Sequence, residues 1–570
     1  MKSEASDIIP PRHNSATYKP SIWKYDFIQS LHTKYEEEGY RLRADTLKED
    51  VKRMFVEVID VLAKLELIDN IRKLGLSTFF ENEIQEALDD IASIQNDKSC
   101  VEEDLYATAL CFRLFRQHGY EISQDIFSGF MDEDGSFSTT KCRDAKGLIE
   151  LFEASNLALE GENILDKAKV FSIGTLKDIH CCNLDSELAE KVAHALELPL
   201  HRRVPWFEVR WHINAYEKEK QMNASLLELA KLNFNRVQAT LQNDLREVSR
   251  WWRNLGLIEN LKFTRDRLVE SFMCAVGLVY ETEFSCFRIW LTKVVIFILV
   301  IDDIFDIYGS LQQLKHFTNA VDRWDSKEIE HLPECMKISF QALYDTTNEV
   351  AYEIQKKGWN DSVLPQLKKV WAEFCKSLFV EAKWYHDGHT PSLQEYLSNA
   401  WISSSGTVLS VHSFFSIMNE ATVEMIEFLR KNQELVYNSS LVIRLCNDLG
   451  TSAAELERGD VASSILCYMR ELDVSEEIAR SHIKEMINNS WTSINGHCFT
   501  QSSLLKPFVN ITTNFARVAH CLYQNGDGFG VQDRDTKEAN PLFTHQTYLK
   551  LYMSFKFNYK VSKLSINKYV

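Results

Sequence analysis

The stretch LVIDDIFDIYG, residues 299–309, ends an apolar run that begins near Val294 and places Asp302, Asp303 and Asp306 at its polar end. With about 3.6 residues per helical turn and about 1.5 Å of rise per residue, positions 302 and 306 share one face of a helix, about 6 Å apart, with Asp303 beside them. Three carboxylates at the rim of an apolar helix repel one another unless a positive charge is present. Hard oxygen donors with room left for water suit Mg²⁺, which sites hold through one or two carboxylates plus substrate phosphates.

A second line of donors lies further along the chain in NDLGTSAAE, residues 447–455. Asn447, Thr451 and Glu455 recur every four residues and form one helical stripe about 12 Å long. Facing the aspartates across a gap, this stripe would clamp a polyanion through several Mg²⁺ ions. Basic residues accompany both motifs. Arg265 and Arg267 stand in an RDR triplet upstream of the aspartates, and Arg444 lies three residues before Asn447, on a neighbouring helix face. Guanidinium forks match diphosphate oxygens.

A chain of 570 residues is too long for one core, so two domains are expected. Only 20 Gly and 10 Pro interrupt long apolar periodicities, and no segment alternates as a strand would. The expected class is therefore all-α. One helical pattern runs through Leu47, Val51, Phe55, Val58, Leu62, Leu65 and Ile68, with Gly75 as its stop. The charged stretch at 215–225 marks a boundary. The acidic loop GFMDEDGSFS (129–138) and the HDGH turn (386–389) read as solvated loops, since imidazole is a poor partner for Mg²⁺. Trp251 and Trp252 read as packing between the domains or under the site. The glycine-rich QNGDGFGVQDRD (524–535) lacks the preceding strand and following lysine of a nucleotide loop and reads as a lid.

The formal net charge of −18 disfavours a nucleic-acid partner, which needs a basic face. Thirteen cysteines without CxxC spacing, including the adjacent pair Cys181–Cys182, read as reduced thiols of an intracellular protein. The opening MKSEASDIIPPRHNS has neither an apolar core nor transit-peptide composition. No apolar run approaches the roughly 20 residues of a membrane helix, and the greasiest segment, 294–301, is bounded by Lys293 and Asp302. A cytoplasmic protein without stable membrane insertion is expected.

Taken together, DDIFD, NDLGTSAAE and RDR resemble the DDxxD, NSE/DTE and RxR motifs of the plant class I terpene synthases. The resemblance runs from about Arg12 to about Asp535. It is carried also by HRRVPWFEVRWHINAYEK (201–218), FTNAVDRWD (317–325) and HCLYQNGDGFG (520–530). Within that family the text is most similar to the α-farnesene synthases. The resemblance implies two helical domains: a relictual N-terminal α-barrel-like domain over 1–220 and a C-terminal class I terpenoid synthase fold over 221–545. An atypical basic and aromatic tail follows over 546–570. It implies a monomeric carbon–oxygen lyase that ionises farnesyl diphosphate with three Mg²⁺ ions, or Mn²⁺ in their place, and loses a proton to give acyclic α-farnesene.

Residue by residue, the resemblance assigns Asp302, Asp303 and Asp306 to one metal cluster and Asn447, Thr451 and Glu455 to the other. Arg265, Arg267 and Arg444 would hold the diphosphate, and Tyr523 and Asp527 would face the cavity near the reacting atoms. Cys274 falls where many relatives carry a pocket tryptophan, and the smaller side chain favours a C15 over a C10 substrate. The tandem arginines of the family are replaced by His13–Asn14 ahead of Trp23, with Arg12 displaced by one, which also favours an acyclic product. Alternatives remain open. Geranyl diphosphate could be converted to ocimene or linalool, or water capture could give nerolidol. A chain-elongating prenyltransferase would carry a second aspartate-rich motif where Asn447 and Thr451 stand. A non-catalytic helical scaffold would not need both motifs intact.

Overall fold

The computed structural model describes residues 20–33, 35, 38–95, 104–180, 185–261, 263–358, 363–417, 433–458, 462–499, 505–524 and 526–529. Arg12, His13, Asn14, the Cys181–Cys182 pair, residues 525 and 530–535 of the glycine-rich segment read as a lid, and the tail over 546–570 lie outside these residues, as does the side chain of Glu455. Among the described residues the fold is all-α, with a single isolated bridge between Met131 and Phe137 closing the acidic 129–138 loop.

The long helix expected across 47–68 is two helices. Glu38–Glu57 ends, and the Asp60 carboxylate accepts the Ala63 N–H at 2.8 Å to start Val61–Lys73. A capping aspartate outweighs apolar periodicity here, because it satisfies a helix-start donor that a continuous helix would not present. Gly75, at φ +71°, does terminate the second helix, and Val209 packs so closely that a Cβ there would lie 2.8 Å from it. The charged boundary near 220 falls between Pro205–Lys218 and Ala224–Leu255, where Asn223 caps the second helix through the Leu226 N–H.

One apolar cluster runs from Ile28, Leu47 and Trp206 in the first half to Phe272, Phe297 and Phe340 in the second. A separate core fills the first half between Leu105 and Ala195, and another fills the second half between Val350 and Ala519. Polar ties cross between the halves. Asn495 donates to the carbonyls of Asn156 and Ala158 and pairs with His201, while Arg517 donates to the His201 carbonyl.

The membrane expectation needs correction. The helical stretch Thr282–Tyr308 is 27 residues long, and its most apolar window has a mean hydropathy of 2.1, enough by length and composition to cross a bilayer. Within it, 72% of the most apolar window is buried inside the protein, so it is the central core helix of the second half. Most of its apolar surface is covered by packing, as expected of a largely buried apolar helix.

Candidate active site

The second half surrounds a cavity of about 280 Å³, lined from the helices Leu268–Leu278, Ser285–Asp303, Val363–Asp387, Gly406–Ile417, Gln433–Arg458 and Lys506–Tyr523. On Ser285–Asp303 the lining residues are Val295, Ile298, Leu299 and Asp302, a stripe at three- and four-residue spacing. The stripe starts apolar, deep in the protein, and ends on a carboxylate at the rim.

The aspartate motif then leaves α-geometry. Ile304–Tyr308 is a π-helical turn, closed by the Gly309 N–H donating to the Ile304 carbonyl at 2.9 Å. Such wide turns recur at functional sites because the extra residue re-aims a side chain. Asp306 is exposed and Asp302 half-buried, and both line the cavity. Asp303 has a different place from the one expected. It is fully buried, does not line the cavity, and faces Arg265. The Arg265 backbone N–H donates to its carboxylate at 2.8 Å, and the guanidinium Nε lies 3.0 Å from its other oxygen. A second arm of Arg265 reaches Asp302 at 2.5 Å. The expected repulsion between Asp302 and Asp303 is therefore corrected: Arg265 is built in as the counter-ion of these two. Burial pushes the Asp303 carboxyl above the ordinary carboxylate range, and Arg265 pulls against that shift.

The RDR triplet splits its work. Arg265 lines the cavity. Asp266 accepts from the Trp252 indole at 3.1 Å, so the stacked Trp251–Trp252 pair lies under the site and anchors the triplet. Arg267 is 1% exposed, does not line the cavity, and donates to the Phe529 carbonyl at 2.7 Å.

Across the cavity, Ile443, Arg444, Asn447 and Thr451 line one face of Gln433–Arg458. Arg444 donates to the Asn447 side-chain oxygen at 3.2 Å and to Ser403 at 3.1 Å. The Thr451 hydroxyl donates back to the Asn447 carbonyl at 2.9 Å, which fixes its oxygen on the cavity-facing stripe. Asp448, adjacent in sequence, turns the other way and accepts from Tyr396 and the Ser464 N–H. Gly450 permits close contact with the end of the last helix, since a Cβ there would lie 3.0 Å from the Tyr523 carbonyl and 3.2 Å from that of Gly526.

One acidic lining residue was missed from the sequence. Glu381 sits seven residues after Phe374 on Val363–Asp387, and both line the cavity. It accepts from Asn399 at 3.0 Å and from Ser403. Burial raises its carboxyl above the usual range, and Arg444 opposes the shift. The available signal was a carboxylate on the apolar face that Leu367, Val370 and Phe374 define.

Helix is interrupted between Leu393–Ser403 and Gly406–Ile417, and Ser403, Ser404 and Ser405 line the cavity there, Ser405 at φ +68°. A helix C-terminus carries partial negative charge and favours a cation nearby. The remaining wall is apolar and aromatic, with Cys274, Phe374, Phe515 and Leu522. Tyr523 and Asp527 also line it, and burial together with the Asp527 charge keeps the Tyr523 phenol protonated.

Among the described residues no three His, Cys, Asp or Glu side chains converge into a ready-made ion cage. The donors are spread round the rim, as suits ions that bring phosphate oxygens and water to complete their shells. Every rim donor is a hard oxygen, so the set fits Mg²⁺ rather than a soft metal. The HDGH histidines are not part of it: His386 pairs with Asp387 and His389 with Glu395 at the surface.

Two family models match this chain: the terpene synthase N-terminal domain over residues 22–196 and the terpene synthase family metal binding domain over 253–493. The chain is 62% identical to an alpha-farnesene synthase of Ricinus communis, covering 94% of this chain and 95% of that one. It is 60% identical to an (E,E)-alpha-farnesene synthase of Malus domestica, covering 93% of each. Among solved structures, isoprene synthase from grey poplar in complex with three Mg²⁺ ions and dimethylallyl-S-thiolodiphosphate aligns with a TM-score of 0.83 at 44% identity, covering 91% of this chain and 97% of that one. An oxygen-donor rim over an apolar pocket, in a chain matched along nearly its whole length, places this protein in the terpene synthase family.

Proposed function

We propose that the protein is a sesquiterpene synthase that converts farnesyl diphosphate to acyclic α-farnesene and diphosphate. The observation that carries this reading is the cavity in which Arg265, Arg444 and the donor residues form the rim and apolar and aromatic residues form the floor. The high identity to two farnesene synthases supports the product.

Asp302, Asp306 and Glu381 would hold metal on one side of the rim, and Asn447 and Thr451, with Glu455, on the other. Bound Mg²⁺ would neutralise charge on the diphosphate. Arg265 and Arg444 orient the diphosphate by charge-assisted hydrogen bonds and stabilise the negative charge that grows as the carbon–oxygen bond breaks and its electron pair leaves with the diphosphate. The allylic cation then lies among Phe374, Phe515 and Tyr523, whose ring faces attract positive charge. The negative end of Leu393–Ser403 adds to that attraction. Loss of a proton from a carbon beside the cation gives the hydrocarbon. Cys274 keeps the wall open for the longer chain.

The test is gas chromatography–mass spectrometry of products from the purified protein, with farnesyl and geranyl diphosphate supplied separately, with and without Mg²⁺. One acyclic C15 hydrocarbon, formed only with metal, is the expected result. Consumption of geranyl diphosphate alone would overturn the substrate assignment.

A further inference from the structure

We infer that Phe529 is the residue that keeps water out of the cavity, and that Arg267 is the positioning residue that holds it there, so that this pair sets the partition between hydrocarbon and alcohol. The inference rests on the farnesyl diphosphate reading above. Phe529 lines the cavity and is 6% exposed. Its backbone is held on both sides: the carbonyl accepts from Arg267 Nε at 2.7 Å, and the N–H donates to Asp527 at 3.0 Å. Arg267 is itself fixed, since its second arm donates to the Asp266 carbonyl at 2.9 Å and Asp266 accepts from Trp252.

The two glycines that precede Phe529 make this hold tight. A Cβ on Gly528 would lie 2.5 Å from the Leu522 carbonyl, so the segment lies flat against the last helix. Gly526 adopts φ +113°, a conformation that side-chain-bearing residues rarely take. Residues 526–529 thus form a fitted cap over the aromatic wall. A guanidinium buried to 1% exposure and donating to a backbone carbonyl serves geometry, while Arg265, two residues earlier, stands at the rim.

The chemistry gives this placement a consequence. The allylic cation has two fates. A neighbouring carbon–hydrogen bond can break, its electron pair forming the new double bond and its proton passing to an acceptor. Alternatively, a water oxygen can form a carbon–oxygen bond at the tertiary carbon and then release a proton to solvent, which gives a tertiary alcohol. The first fate requires that water be absent.

The experiment uses the full-length enzyme with farnesyl diphosphate and Mg²⁺ in ¹⁸O-water, and reads the alcohol-to-hydrocarbon ratio. Wild type is expected to give hydrocarbon. Phe529→Ala is expected to raise the labelled alcohol about tenfold or more, because the cap no longer excludes water. Phe529→Leu, closer in volume, is expected to give an intermediate ratio and guards against a poorly folded alanine variant. Arg267→Met is expected to move the ratio the same way, and the double variant to go no further than Phe529→Ala alone. An active Phe529→Ala or Phe529→Leu with the wild-type ratio overturns the role of Phe529. An Arg267→Met enzyme with slowed turnover and an unchanged ratio overturns the positioning role. If wild type converts only geranyl diphosphate, the substrate assignment fails separately, and the same ratio is read on the C10 products.

Discussion

Asp302 and Asp303 are adjacent in sequence, yet the structure gives their replacements opposite signatures. Asp303→Ala removes the fully buried partner of Arg265 and strands both the Arg265 backbone N–H and one guanidinium arm. Breaking a buried ion pair from one side costs about 3–5 kcal/mol. Asp302 retains the other arm and Arg265 is 11% exposed, which favours the lower end, about 3 kcal/mol. Asp302→Ala removes a carboxylate that is 32% exposed, and a pair screened to that degree contributes about 0.5–1 kcal/mol. At about 2–4 °C per kcal/mol for a unit of this order of size, Asp303→Ala should lower Tm by about 6–12 °C and Asp302→Ala by about 1–4 °C. The activity of Asp302→Ala should fall at least 10²-fold, on the order of the loss of one preorganised electrostatic contact to a leaving group. Thermal unfolding by circular dichroism, paired with product quantification at 15–20 °C below the lower Tm, measures both. If the two variants unfold together, or if Asp303→Ala raises Tm, then the carboxylates repel one another after all and Arg265 is not their counter-ion.

Cys274→Trp should fill part of the cavity wall and lower turnover of farnesyl diphosphate at least about tenfold relative to geranyl diphosphate, measured as the ratio of kcat/KM values. An unchanged ratio would show that position 274 does not limit chain length. Chelation of divalent metal should abolish product formation while leaving the helical signal and Tm close to those of the untreated enzyme, since the described rim donors hold no preformed cage; a collapse of Tm would mean metal is structural. Gly406→Ala should destabilise the protein by about 1–3 kcal/mol or more, because the new Cβ would lie 2.1 Å from the Ser440 hydroxyl and 3.0 Å from its Cα. His412 is held neutral by burial, with its pKa lowered to about 4, and unfolding restores about 6.5. The unfolded state therefore binds the extra proton, and this contribution to stability is present above pH 6.5 and lost as pH falls. Relative to wild type, His412→Gln should gain about 2 kcal/mol between pH 7 and pH 5, read from urea unfolding at each pH. A constant difference would show that His412 does not titrate with unfolding.

The helical class, the two donor lines and their arginines were legible in the sequence because each depends on residue type and periodicity. Asp302, Asp306, Asn447, Thr451, Arg265, Arg444 and Cys274 all line one cavity, as patterns of three and four residues can indicate. What was not legible depends on tertiary placement. Periodicity puts Asp303 beside Asp302 but does not say that it points inward to Arg265. Arg267 has the same chemistry as Arg265 and only the fold turns it toward Phe529. Glu381 belongs to no motif, and its role emerges only when Ser403 and Arg444 are brought to it from two other helices. The helix break at Asp60 was readable as a cap, and the apolar repeat across it hid the signal.

The apolar cluster shared between the two halves makes the protein non-modular in practice. Every residue lining the cavity lies beyond position 260, so the first half looks dispensable on a map of chemistry. Yet Leu47, Trp206 and Val209 pack in the same cluster as Phe272 and Phe297. Recombination between relatives is thus constrained at a seam rather than at a linker. Chimaeras that exchange one half must carry matched seam residues with it, and a minimal catalytic fragment cut near residue 220 would present an unfaced apolar surface and precipitate. Natural or designed diversification of the pocket can proceed freely on the helices of the second half, while the seam drifts only in concert.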